Sequence, residues 1–252
     1  MNNVDLSIIV PGYRHWEWQK LLASTVASVG DYSFEMIIVG PEDESGIVDE
    51  RVTFIKDYGA PGRCFQIAAS HAIGKFMTWA CDDGVFLPGV LSRMVDRMTE
   101  ADDPKLALGL NYFEGGQPRV LDFFRARHHA DQHMPGIKEE YWTSPMFACT
   151  TSYFKDMGGI DCRFEHVNFN MCDFMFRVYN DGGTVEIFME PVLDIHWDVH
   201  APDYVPVRQA YLETDLPLYQ ELYSQDQSSR TKISFNNWKD SPEKWVRRFA
   251  DA

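Results

Sequence analysis

The chain has 252 residues, 45% hydrophobic and 14% aromatic, which suffices for one large α/β domain with a substantial core. Its formal net charge of −15 argues against a basic surface for nucleic acid, and an anionic ligand would need a divalent cation or local Arg and Lys. No apolar run approaches the roughly 18 residues of a membrane span, and Met1-Asn2-Asn3-Val4-Asp5 shows no basic-then-apolar leader.

Leu6-Ser7-Ile8-Ile9-Val10 is a near-continuous apolar run, as expected of a strand covered on both faces. Pro11-Gly12-Tyr13 ends it, and Trp18, Leu21, Leu22, Val26 and Val29 follow at helical spacing, stopped by Gly30. Phe34 to Val39, closed by Gly40-Pro41, reads as a second buried strand, and Val52 to Ile55 as a short third. Helical spacing returns from about Arg63 to Ile73, before a fourth strand from Phe76 to Ala80. This order predicts a mostly parallel, doubly wound sheet with helices on both faces.

A helix is expected from Pro88 to about Thr99 and a strand from Leu106 to Tyr112. Residues from about Gly115 to Glu140 are polar and His-rich, consistent with a hairpin and a loop. Met146 to Thr150 reads as strand, Gly158-Gly159-Ile160-Asp161 as a turn, Phe169 to Tyr179 as helix and Thr184 to Phe188 as strand. Gln225 to Arg230 looks like a linker to a short terminal helix carrying Trp245 and Phe249. The five cysteines, Cys64, Cys81, Cys149, Cys162 and Cys172, form no C-x-x-C pair and fit reduced thiols in a cytoplasmic protein.

Asp82 and Asp83 stand side by side where the fourth strand meets Gly84. Adjacent acids repel, so they serve solvation, a helix cap or a cation, and open α/β sheets bind ligands at the carboxyl ends of their strands. In a parallel sheet, Pro11-Gly12-Tyr13-Arg14 and Gly40-Pro41-Glu42-Asp43-Glu44-Ser45 share that edge. Neither G-x-G-x-x-G after the first strand nor G-x-x-x-x-G-K-[ST] anywhere supports a dinucleotide or P-loop site. Late in the chain, Asp194, His196, Asp198 and His200 alternate onto one face of a strand. His128, His129 and His133 sit in a polar loop without a strand context, and Cys162, His166 and Cys172 lack a tight pair, so neither set reads as a metal site. Tyr141, Trp142 and Trp197 are core aromatics or a platform for a sugar face.

Over residues 5 to 200 the order of these parts resembles the family 2 glycosyltransferases of GT-A fold. The resemblance rests on the Leu6–Tyr13 strand and turn, the Val39–Ser45 acidic loop, Gly74-Lys75-Phe76, Ala80-Cys81-Asp82-Asp83, Gly158-Gly159-Ile160-Asp161 and the helix around Cys172-Asp173. It departs at Ala80, where the first acid of D-x-D is missing, and at Cys172, where the family has Glu. The resemblance implies transfer of a sugar, with inversion, from a nucleotide sugar (UDP the commonest base) to a hydroxyl of a glycan or other acceptor. It implies Mn²⁺ or Mg²⁺ on Asp82 with His196 or His200, and Asp83 beside them. Pro11, Tyr13, Glu42, Asp43, Arg63 and Gln66 would hold the nucleotide, and Asp173 would be the general base. Residues 1–224 would be the transferase domain, split near 112 into donor and acceptor halves, with 225–252 as linker and terminal helix. Bland readings stand beside these: an N-terminal helix acid for Asp173, a helix-start cation for Arg63. The competing functions are a nucleotidyltransferase, disfavoured by the lack of a Gly-rich basic loop after the first strand, and a non-catalytic glycan- or partner-binding relative.

Overall fold

The structure, a computed structural model, describes residues 4–118, 143–196, 201–223 and 230–251. The first apolar run forms β1 (Leu6–Pro11), buried except at its last residue. It pairs in parallel with β2 (Phe34–Gly40) on one edge and β4 (Phe76–Trp79) on the other, and β3 (Val52–Lys56) extends the sheet beyond β2. A strand with neighbours on both edges and helices over both faces has no wet side, hence the lack of alternation in Leu6–Val10.

The chain passes from β1 through α1 (Trp18–Val29) to β2, then from β3 through α2 (Pro61–His71) back across β1 to β4. Right-handed crossovers in opposite directions put α1 and α2 on opposite faces. The strand order therefore reverses between β1 and β4, and their carboxyl ends flank a crevice. α1 stops at Gly30, whose φ of 64° is readily adopted only by glycine. Its layer is completed by α3 (Val90–Ala101), which packs against it.

Beyond β4 the sheet is mixed. β8 (Phe147–Thr150) runs antiparallel to β4 and to β6 (Leu106–Glu114), while β9 (Thr184–Ile195) runs parallel to β6 and antiparallel to β5 (Gly84–Phe86). The order is β3-β2-β1-β4-β8-β6-β9-β5, with β7 (Gln117–Pro118) also paired to β6. β9 is longer than the predicted strand because register shifts at Asn111 let it bend and continue along β6 to Ile195. α5 (Val167–Asn180) packs on α2 and β9, and α4 (Thr151–Asp156) on β8.

A smaller apolar cluster of Phe164, Phe169, Cys172, Phe176, Tyr219 and Tyr223 fastens α5 to the C-terminal helices. These are α6 (Val205–Ala210), a π-helical turn (Tyr211–Asp215) and α7 (Leu216–Tyr223). The terminal segment is tied back to the domain: Ile233 N donates to Met157 O (3.1 Å) and Trp245 N to Tyr58 O (2.7 Å), ahead of α8 (Val246–Phe249). Among the described residues no helix is long and apolar enough to cross a membrane. The expected loop with His128, His129 and His133, the pair Tyr141 and Trp142, and the run Trp197, Asp198 and His200 lie outside the described residues.

Candidate functional site

A cavity of about 790 Å³ opens where the strand order reverses. Pro11, Tyr13 and Arg14 line it from the end of β1, Ala80 to Asp83 from the end of β4, His166 to Asn168 from the start of α5, and Tyr204, Arg208 and Tyr211 from the C-terminal helices. Arg248 of α8 and His196 after β9 also reach it. The β1 turn needs glycine: a Cβ on Gly12 would lie 2.5 Å from Ile38 Cγ2 and 2.7 Å from Trp18 Cζ2.

Asp82 fixes this turn. Its Oδ2 accepts from Tyr13 N and Arg14 N, both at 2.6 Å, and its Oδ1 from Arg14 Nη2 at 2.5 Å. The same Nη2 lies 3.0 Å from Asp83 Oδ1, an ion pair without hydrogen-bond geometry, and Arg14 Nη1 donates to Asp203 Oδ2 at 2.9 Å. Both adjacent acids are almost fully buried. Burial opposes the charge of Arg14, but Asp82, Asp83 and Asp203 outweigh it and hold its pKa above the ordinary value. Asp83 is pushed up to about 7, chiefly by burial and further by Asp82, with Arg14 pulling the other way.

Tyr13 faces the terminal helix: the Arg248 guanidinium sits 4.1 Å above its ring and Phe249 lies 6.2 Å away. Arg248 also donates to the Asp203 carbonyl, and burial lowers its pKa. His166 caps α5, Nδ1 accepting from Asn168 N at 3.5 Å. Burial, helped by the Arg248 charge, pushes its pKa down to about 4, so it is neutral near pH 7. An accepting Nδ1 puts its proton on Nε2. Asp215 positions it, accepting from Glu165 N and His166 N, both at 2.8 Å.

Four expected site residues do other work, and a fifth stands outside the cavity. Asp173 is fully buried, its Oδ2 accepting from Arg177 Nε (2.8 Å), its Oδ1 from Tyr223 OH (2.7 Å) and from Arg230 Nη1. With both oxygens paired and no place in the cavity wall, it does not have the access a general base needs. Arg63 grips Asp57 (3.0 Å) and the carbonyls of Trp238 (2.6 Å) and Ser241 (2.9 Å). Gln66 ties Gly158 O, Phe235 O and Ile160 N together at 3.0–3.1 Å. Asp43 caps its own turn through Ser45, and Glu42 is exposed beside it; neither lines the cavity. Of the expected donor-site residues, the structure brings together Pro11, Tyr13, Asp82, Asp83 and His196.

Arg14, Asp203, His166 and Arg248 were not predicted as site residues. Arg14 carried a usable signal, a cation one residue past a strand-ending turn on the same sheet edge as two acids. Asp203 lies in the turn before α6 and Arg248 in the short α8, neither within a motif.

The donor set does not fit a divalent cation in this arrangement. Asp82 commits both oxygens to Arg14 and the turn, Ala80 offers no oxygen ligand, and Asp83 faces the same guanidinium. Among the described residues, no three His, Cys, Asp or Glu side chains gather closely enough to hold a metal ion. Asp82 and His196 of the expected metal set line the same cavity, but Asp82 is engaged by Arg14 and the turn, and His200 lies outside the described residues.

No protein-family model matches the chain, and no curated protein matches it by sequence. Among solved structures it is similar to S. aureus TarS 1-349, at 15% identity and TM-score 0.57 over 88% of this chain and 70% of that one. It is similar also to TarS 1-349 in complex with UDP-GlcNAc, at 16% identity and TM-score 0.57 over 93% and 74%. Against the longer TarS structure the chain covers 45% of that protein, at TM-score 0.57. At such identities the likeness establishes the fold alone, which this chain shares with TarS.

Proposed function

We propose that the chain is a glycosyltransferase that takes its sugar from a nucleotide donor, a UDP-sugar in the first instance, and passes it to a hydroxyl acceptor with inversion. One observation carries the reading: Tyr13 and Arg14 face Asp82 and Asp83 across the reversal point of the sheet, where open α/β sheets take ligands. The fold is shared with a protein that has been crystallised with UDP and with UDP-GlcNAc.

On this reading the nucleotide lies along Pro11 and Tyr13, and its diphosphate meets Arg248, Arg208 and the Nε2–H of His166, which lies near the N-terminus of α5. Guanidinium groups and helix N-termini suit phosphate oxygens, and donors held in place stabilise the charge that grows on the leaving diphosphate. The acceptor enters beside Tyr204 and Tyr211. Its proton passes to an acid that reaches the cavity, Glu114 or Asp203, and Asp173 serves to hold α5.

The test is release of UDP from UDP-GlcNAc, UDP-glucose and UDP-galactose, with and without simple sugar acceptors. Slow hydrolysis of one donor, accelerated by acceptor, is expected. No turnover of any donor would contradict the reading.

A further inference from the structure

Two adjacent buried carboxylates need a cation, and here the chain supplies one. We propose that the Arg14 guanidinium is the resident cation of the Asp82–Asp83 pair, holding the place a divalent metal would take and closing the pair to it. The inference deepens the nucleotide-sugar reading and rests on it for its consequence: the diphosphate is held without a metal.

Three geometric facts carry the assignment. One nitrogen, Arg14 Nη2, stands 2.5 Å from Asp82 Oδ1 and 3.0 Å from Asp83 Oδ1, bridging the pair as a metal ion would. The guanidinium is anchored from the far side by Asp203 through Nη1. Its backbone is anchored too, since Arg14 N and Tyr13 N both donate to Asp82 Oδ2. A planar fork can meet three carboxylates at once, which a lysine ammonium on a flexible stem does far less well.

A divalent cation prefers carboxylate oxygens, so it would have to displace the guanidinium and strip Asp82 of its present donors. Ala80 leaves no further acid from the same strand end to repay that loss. Arg248 and Arg208 are the other arginines that line the cavity among the described residues, and phosphate is left to them.

The full chain is titrated with Mn²⁺ alone, and free Mn²⁺ is followed by its electron paramagnetic resonance signal. The wild type is expected to show no saturable site below millimolar Mn²⁺. Arg14→Gln is expected to open one site per chain, at least about tenfold tighter, which Arg14→Gln combined with Asp82→Asn loses again. Arg14→Lys, which retains the charge without the fork, is expected to bind Mn²⁺ more weakly than Arg14→Gln, and equal affinity in the two variants would contradict the assignment. A saturable wild-type site abolished by Asp82→Asn would overturn the assignment, and this arm requires no Arg14 variant to fold. So would a folded Arg14→Gln that gains no site. In a separate arm, UDP affinity of the wild type measured in EDTA and in excess Mn²⁺ is expected to agree within about twofold, and a gain of tenfold or more with Mn²⁺ overturns the inference. Binding of UDP in neither buffer would contradict the proposed function, while the Mn²⁺ titration still decides the place of Arg14.

Discussion

Asp82 does two jobs with one carboxylate, shaping the turn after β1 and neutralising Arg14. Hydrogen bonds to a charged group contribute about 1.5–3 kcal/mol each, so Asp82→Ala is expected to loosen the turn. A drop of several degrees in the thermal midpoint and loss of UDP binding should follow; a variant that melts and binds like wild type would contradict the clamp. Asp173 is the opposite case, an acid whose position in a motif suggested chemistry while its partners show architecture. Removing one partner from a buried ion pair costs about 3–5 kcal/mol. Asp173→Asn should therefore lower stability in a urea melt by that order, and the folded fraction should still release UDP from a donor. Full stability with lost turnover would restore Asp173 as base. A signal for its structural role was present in the chain, since Arg177 follows at i+4, the spacing of a helical ion pair. Arg63 and Gln66 gave no comparable warning, because apart from Asp57 their partners are backbone groups some 90 to 180 residues away.

The strands and helices that build the cavity's floor were legible because they obey two periods. β1, β2 and β4 are mostly apolar runs, each broken by a single polar residue, and α1 and α2 repeat at helical spacing. The C-terminal helices were not. Proline disrupts a helix interior, but Pro206 lies in the first turn of α6, where a missing N–H costs nothing. Pro217 follows the π-helical turn at 211–215, in which Leu216 N reaches back to Tyr211 O; the wider turn relieves the crowding a proline imposes on the preceding coil. That turn carries Asp215, which holds the amides leading into α5. Burial pushes Asp215 from 3.8 up to about 7, against the pull of Glu165 N and His166 N. The folded chain therefore keeps a proton there that the unfolded chain releases near pH 4. The stability it contributes is complete below that pH and declines as pH rises to about 7. Asp215→Asn should flatten this part of the stability–pH curve measured by urea melts; an unchanged slope would mean that Asp215 does not titrate in the window.

The whole molecule is closed by residues 230–251, which the sequence suggested only as a linker and a small helix. Arg230 joins Asp161 of the glycine turn to Asp173 of α5, Gln66 and Arg63 of α2 hold carbonyls of Phe235, Trp238 and Ser241, and Trp245 Nε1 donates to Glu165. Arg230→Ala leaves two buried acids short of a partner. A loss of about 3–5 kcal/mol in a chain of this size corresponds to roughly 10 °C in thermal midpoint, to be checked by calorimetry; a shift under 2 °C would contradict the staple. Because α8 then lays Arg248 over Tyr13, the terminal segment also forms one wall of the cavity, and fold and site cannot be separated there. The account turns on that cavity accepting a nucleoside diphosphate. Calorimetric titration of the full chain with UDP, repeated with Tyr13→Ala, tests it most directly. The expected result is saturable binding of one UDP per chain, weakened at least about tenfold by Tyr13→Ala; no binding of UDP to the folded wild type, or equal binding by the variant, would contradict it.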